Sequence, residues 1–192
     1  MKKLTYITTF ALSLLLMVSC GSKPQQPEKW SIRMANSVMM QYDTLTQYLG
    51  AAESRKWQYD VAMLGGAIAK LHTVDPKYSE YLKRYVDAFV NEDATVKRYK
   101  LEEYNIDRVN PAKNLFTLYK LYGEEKYKNA LPQFALQMES HPKTETGGFW
   151  HKKVYPNQMW LDGIYMASPF LAQYAQEFND PKWFDIVTHQ IT

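Results

Sequence analysis

The stretch NLFTLYKLYGEEKYKNALPQFALQM, residues 114–138, decides the fold. Leu115, Leu118 and Tyr122 recur at three- and four-residue intervals, as do Tyr127, Leu131, Phe134 and Met138. That spacing places each set on one face of an α-helix. Gly123 lies between them where a helix C-cap belongs, and YGEEKY leaves room only for a tight turn. Two amphipathic helices joined this closely must fold back on one another as an antiparallel hairpin.

The same period runs outward in both directions. Val61, Leu64, Ile68 and Leu71 mark one face upstream, and Tyr78, Leu82, Tyr85 and Phe89 mark another. Pro76, Pro111 and Pro142 fall at starts or breaks, and FNDPKW at 178–183 is a second tight turn. No alternation is long enough to specify a strand. The expectation is an all-α chain of six or seven helices from Glu28 onward. Two connectors are long, 93–110 and 140–157, and long ordered loops on a rigid scaffold are where sites gather.

The N-terminus reads as an export segment. MKK, an apolar FALSLLLMV and then VSC predict a signal peptide over residues 1–19, cleaved before Cys20. VSC resembles a bacterial lipobox, which implies lipidation of Cys20, the single cysteine, and a membrane anchor at the cell envelope. Residues 20–28 read as a polar tether, and 29–192 as the folded domain. Loss of Lys2 and Lys3 lowers the formal charge from +3 to +1, which argues against nucleic acid as a partner. KRYK at 97–100 is followed by Glu102 and Glu103 and reads as solvated surface.

Three acids stand beside aromatic residues: Asp60 in KWQYD, Asp107 in EEYNIDRVN and Asp162 in QMWLDGIYM. Each suits a helix cap, and each suits proton chemistry in a sugar site, where paired carboxylates in different environments are the usual equipment. The four histidines, 72, 141, 151 and 189, show no metal-ligand spacing, and no GxSxG, P-loop or dinucleotide glycine pattern is present. No metal or organic cofactor is expected. The paired glycines at 65–66 and 147–148 read as close helix packing and a loop bend.

EYNIDRVNPAKNLFTLY, GGFWHKK and MWLDGIYMASPF resemble the motifs of glycoside hydrolase family 105, the unsaturated rhamnogalacturonyl hydrolases, relatives of the family 88 unsaturated glucuronyl hydrolases. The resemblance runs from about Trp30 to the end of the sequence. It implies an (α/α)6 six-hairpin toroid, of which this chain would form about the first half. It also implies hydration of a 4,5-unsaturated uronic acid at the non-reducing end of pectin-lyase products. Asp162 would be the proton donor and Asp107 its partner carboxylate. His151 and Lys152 would contact the substrate or its carboxylate. Trp57, Tyr59, Trp150 and Trp160 are candidates to stack on sugar and, as helix-flanking aromatics, equally candidates for packing; Asp60 ranks last among the acids. Met159, Trp160, Ile164 and Tyr165 are expected to desolvate Asp162. Half a toroid leaves apolar faces bare, so self-association or a separately encoded second half is expected as a partner. The reading from a different class is an inactive remnant that binds acidic sugars or a partner protein.

Overall fold

A computed structural model describes residues 28–48 and 57–192. The signal segment 1–19 and Cys20 lie outside them, as does all of the tether except Glu28. The chain divides into two units, residues 1–33 and 34–192. Helix α1 (Trp30–Gln41) begins in the first and continues into the second. Among the described residues no helix is long and apolar enough to cross a membrane.

The second unit is all-α, with three isolated bridges in place of any sheet among the described residues. After α1 come α2 (Tyr59–Ala69), α3 (Lys77–Asp87), α4 (Lys113–Tyr122), α5 (Glu125–Ser140), α6 (Leu161–Phe178) and α7 (Lys182–Ile191). The closest-packed pairs are α2 with α3, α4 with α5 and α6 with α7, which are three successive hairpins. Gly123 closes α4 at φ +69°, its amide donating to the Tyr119 carbonyl, and Asn179 closes α6 at φ 53°. Both are left-handed caps, the one conformation that lets a helix stop and reverse within two or three residues.

The core sits between the hairpins. Tyr85, Phe89, Phe134 and Trp57 pack ring to ring, and Phe170 joins them through Phe134. The paired glycines of α2 allow close approach. A Cβ on Gly65 would lie 2.5 Å from Leu45 Cδ1, and one on Gly66 would lie 2.6 Å from Asn114 Oδ1. Two prolines lie inside helices, Pro132 in α5 and Pro169 in α6. Pro169 has no N–H to give the Tyr165 carbonyl four residues back. Lys113 Nζ supplies a bond to that carbonyl from α4, at 3.3 Å, which ties two hairpins together. Burial pushes the Lys113 ammonium down to about 8.

The starts of α2, α4 and α6 converge through one irregular segment. Single 3₁₀ turns at Ile106–Arg108 and Asn110–Ala112 lead into α4, and they pack on α2 and α6. Arg108 donates to the Trp57 carbonyl at 2.6 Å, and Trp57 Nε1 donates back to the Arg108 carbonyl at 2.9 Å. Asn110 Nδ2 reaches the Tyr59 carbonyl just inside α2. Side chains of this one segment thus bind the backbone on either side of the α2 start.

Candidate active site

The two long connectors meet. The Ile106 amide donates to the His151 carbonyl at 3.1 Å, and the Lys153 amide to the Tyr104 carbonyl at 3.0 Å, forming an antiparallel bridge at Asn105 and Lys152. Asn105 caps the turn that follows, its side-chain oxygen accepting the Asp107 amide at 3.0 Å. This Asx cap fixes the backbone at Asp107, whose carboxyl lies against the second loop. There the His151 amide donates to the Gln158 carbonyl at 2.7 Å, which doubles the loop back toward Trp160 and the start of α6.

His151 lies between two acids. Its Nε2 is 3.2 Å from Asp107 Oδ1, and its Nδ1 is 3.9 Å from Asp162 Oδ1. Lys152 Nζ sits 2.6 Å from the other Asp107 oxygen. Trp160 covers the imidazole, with ring centroids 4.2 Å apart and planes within 9°, and Tyr155 stacks in turn on Trp160. Gln158 Oε1 accepts the Trp160 indole N–H, which holds that ring in place. Gly163 lets the helix approach, since a Cβ there would lie 3.1 Å from His151 Nδ1.

The environments of the two acids are opposite. Asp107 is almost fully buried. Burial by itself pushes its carboxyl up, but hydrogen bonds from His151 and Lys152 outweigh that and hold it below the usual carboxylate range. Asp162 occupies the first turn of α6, and 52% of its side chain is exposed. Its sequence neighbours Met159, Trp160 and Tyr165 do not bury it, which corrects the expected desolvation. Nor is it the N-cap, which is Trp160, although an acid in the first turn still complements the helix dipole.

Other sequence candidates divide. Lys152 and Trp160 join the cluster, while His151 is 1% exposed and enclosed by Asp107, Trp160 and Gly163. It therefore contacts the acids and has no surface for sugar, a correction to its expected role. Trp57 is wholly buried within the aromatic core and has no free face to stack on a ligand, a second correction. Tyr59 and Asp60 start α2, and Asp60 accepts from the Gln58 side chain and the Val61 amide. The Trp150 carbonyl accepts from His141 Nε2 at 2.7 Å. Burial holds His141 down to about 4, and it packs edge-on against Tyr104 and Phe149.

Sequence reasoning missed Asn105, Tyr155 and His141 as parts of the site's frame. Only Asn105 left a trace, as an Asx residue two places before an acid. Among the described residues no group of three or more His, Cys, Asp or Glu side chains is arranged to hold a metal ion. An ionised buried acid, an imidazole and a solvent-facing acid flanked by an aromatic ring are a fitting set for moving a proton to or from a sugar.

The family described as Glycosyl Hydrolase Family 88 matches residues 30–192. A glycoside hydrolase from family 105 of Clostridium acetobutylicum ATCC 824 superposes with a TM-score of 0.76 at 44% identity, over 85% of this chain and 44% of that one. A Klebsiella pneumoniae subsp. pneumoniae MGH 78578 protein, described as a possible member of the GH105 family, superposes at 0.64 and 21% identity, over 91% of this chain and 50% of that one. The second likeness speaks for the fold alone. The chain spans half or less of the length of these relatives, and the three hairpins match that share of a helical toroid. The chain belongs to glycosyl hydrolase family 88, with its structural relatives in family 105.

Proposed function

We propose that the chain carries the acid pair of a glycoside hydrolase that removes a 4,5-unsaturated uronic acid from the non-reducing end of pectin-lyase products, unsaturated rhamnogalacturonan oligosaccharides among them. The observation that carries this reading is the line Asp107–His151–Asp162, with one acid ionised and buried and the other open to solvent. Family membership supports the substrate class.

In this reading Asp162 gives its proton to C4 of the unsaturated ring, and positive charge develops at C5 beside the ring oxygen. Water adds to C5 and returns a proton to the Asp162 carboxylate. Water has then been added across the double bond, and the acid is restored. The product is a hemiketal at C5, which opens and releases the neighbouring sugar. Asp107 stays ionised throughout, held by Lys152 and His151. Trp160, 39% exposed and beside Asp162, is stacked between His151 and Tyr155 and offers its ring edge to the sugar. The remaining pocket wall lies outside these 192 residues, a second copy of the chain being one way to supply it, and a lipid on Cys20 anchors the chain at the cell envelope.

The test is the loss of ultraviolet absorbance of the unsaturated uronate, with the chain alone and with the remaining half of a related toroid supplied. Asp162→Asn should lower the rate by roughly 10²–10⁴-fold, the usual worth of a general acid. Full activity in that variant refutes the mechanism. Sugar binding without turnover in any combination supports the remnant reading. The anchor is tested separately: Cys20→Ser should move the chain from the membrane fraction to the soluble one.

A further inference from the structure

We infer that His151 is a positioning residue with a fixed tautomer: it carries its proton on Nε2, toward Asp107, and turns a bare Nδ1 toward Asp162 to receive that residue's acid O–H when it takes up a proton. The inference rests on the reading of Asp162 as the proton donor and adds the device that keeps the proton there.

The tautomer follows from the partners. An ionised carboxylate only accepts hydrogen bonds, and Asp107 is kept ionised by Lys152 at 2.6 Å. The nitrogen 3.2 Å from its other oxygen therefore bears a hydrogen. A neutral imidazole has one, so Nδ1 is left as a lone pair. That atom is buried and has no hydrogen-bond partner among the described residues. Asp162 Oδ1, 3.9 Å away on a half-exposed side chain, needs only a small rotation to bring an acid O–H onto it.

The alternative places the same proton on the ring, making an imidazolium beside an Asp162 carboxylate. The charged and titratable groups around the ring weigh against it. Asp107 faces it from the 3₁₀ turn but is already paired with Lys152. Lys152 itself is a neighbouring cation, and His141 at the end of α5 contributes no anion. Among the described residues Asp162 on α6 is the remaining counter-charge, and it lies beyond hydrogen-bond reach. The ring is 1% exposed and lies under Trp160, where a separated ion pair is costly. A proton taken up by Asp162 is therefore kept on oxygen, where it can be delivered.

Long-range ¹H–¹⁵N spectra of the full chain near neutral pH test this directly. The four histidines are few enough to resolve, and His151 is the one expected to respond to Asp162→Asn, a half-exposed site whose replacement spares the fold. The expected pattern is a protonated Nε2 and a bare Nδ1, with the Nδ1 resonance shifting in Asp162→Asn while Nε2 stays in place. A proton on Nδ1, an imidazolium pattern, or no histidine Nδ1 that responds to the variant overturns the inference. The readout is independent of turnover. If Asp162→Asn keeps full activity, the hydration reading fails while the tautomer result stands on its own; if the variant is inactive but the tautomer differs, only the positioning role is lost.

Discussion

Acid should loosen the loop that carries His151 and Lys152, and His141 sets the pH at which this begins. His141 is 3% exposed, donates from Nε2 to the Trp150 carbonyl, and is held down to about 4 by burial from an ordinary value of 6.5. Between those values the folded chain keeps the ring neutral while the unfolded chain protonates it. The unfolded state then binds more protons, so stability falls as pH drops from 6.5 and levels off below 4. The gap of about 2.5 units, at about 1.4 kcal/mol each, gives a loss of about 3 kcal/mol. Asp107, Asp87 and Glu124 have depressed values in the fold, so their contributions are present above about 4 and are lost only at lower pH. The window from 6.5 to 4.5 therefore lies above the carboxylates and reports on imidazoles, of which His141→Gln removes one.

The assay is urea unfolding followed by tryptophan fluorescence at a series of pH values across that window. His141→Gln keeps an amide donor for the Trp150 carbonyl and removes the titration. Across the window the parent should lose more than the variant by most of the 3 kcal/mol, at about 1.4 for each pH unit at the steepest. Parallel curves for parent and variant would refute the assignment. A parent whose loss begins only below pH 4 would refute it too, because the carboxylates alone would then account for acid sensitivity.

Lys152→Met strips Asp107 of its shortest ion pair and should cost about 2 kcal/mol at neutral pH. Its acid-unfolding curve should also shift upward in pH, since the Asp107 carboxyl would protonate sooner; an unchanged curve refutes the pairing. Trp57→Phe removes the indole bond to the Arg108 carbonyl and should lower stability by about 1–2 kcal/mol while leaving any KM for sugar unchanged. A large rise in KM with normal stability would restore Trp57 to the binding surface. Gly66→Ala drives a Cβ to 2.6 Å from Asn114 Oδ1, and Asn114 is already committed to the Ala62 carbonyl, so a loss of about 1–3 kcal/mol is expected by thermal melting. A gain in stability there, from helix propensity alone, would show that α2 and α4 have room to separate.

The hairpins could be read from local pattern because each needs only local information: an apolar stripe, a left-handed cap and a short turn. Gly123 does in the structure what its position predicted. The two long connectors were also legible as ordered loops on the helical scaffold. Their pairing through Asn105 and Lys152 was not, because residues nearly fifty apart carry no mark of meeting. The same limit explains the acids. Asp162 has Trp160 and Ile164 beside it in sequence, yet successive positions on a helix turn about 100° apart, and its own direction is toward solvent. Asp107 lies between Ile106 and Arg108 in a largely polar loop and is the buried one, because the second loop closes over it. Trp57, which reads equally as a sugar platform or as core, is core because the Arg108 turn grips it from outside.

That inversion bears on how the site works. An acid meant to protonate carbon must hold its proton when substrate arrives, yet Asp162 faces water in the free chain. Around it stand Leu161, Tyr165, Met159 and Trp160, all with exposed apolar surface. In the proposed mechanism a sugar seated on that rim displaces water from the carboxyl, and a carboxyl out of water prefers its neutral form. Burial of the donor is then completed by the ligand, and the hydrogen bond to His151 Nδ1 strengthens as the surroundings dry. Asp107 cannot share in this change, because Lys152 and His151 already fix its charge. Two carboxylates linked through one ring thus remain distinct: one is set by the fold and the other by what binds. The consequence can be measured with a non-hydrolysable acidic sugar. Its binding should take up a proton in the parent and none in Asp162→Asn, as read by calorimetry in buffers of different ionisation enthalpy. Equal proton uptake in both would place the switch on another group.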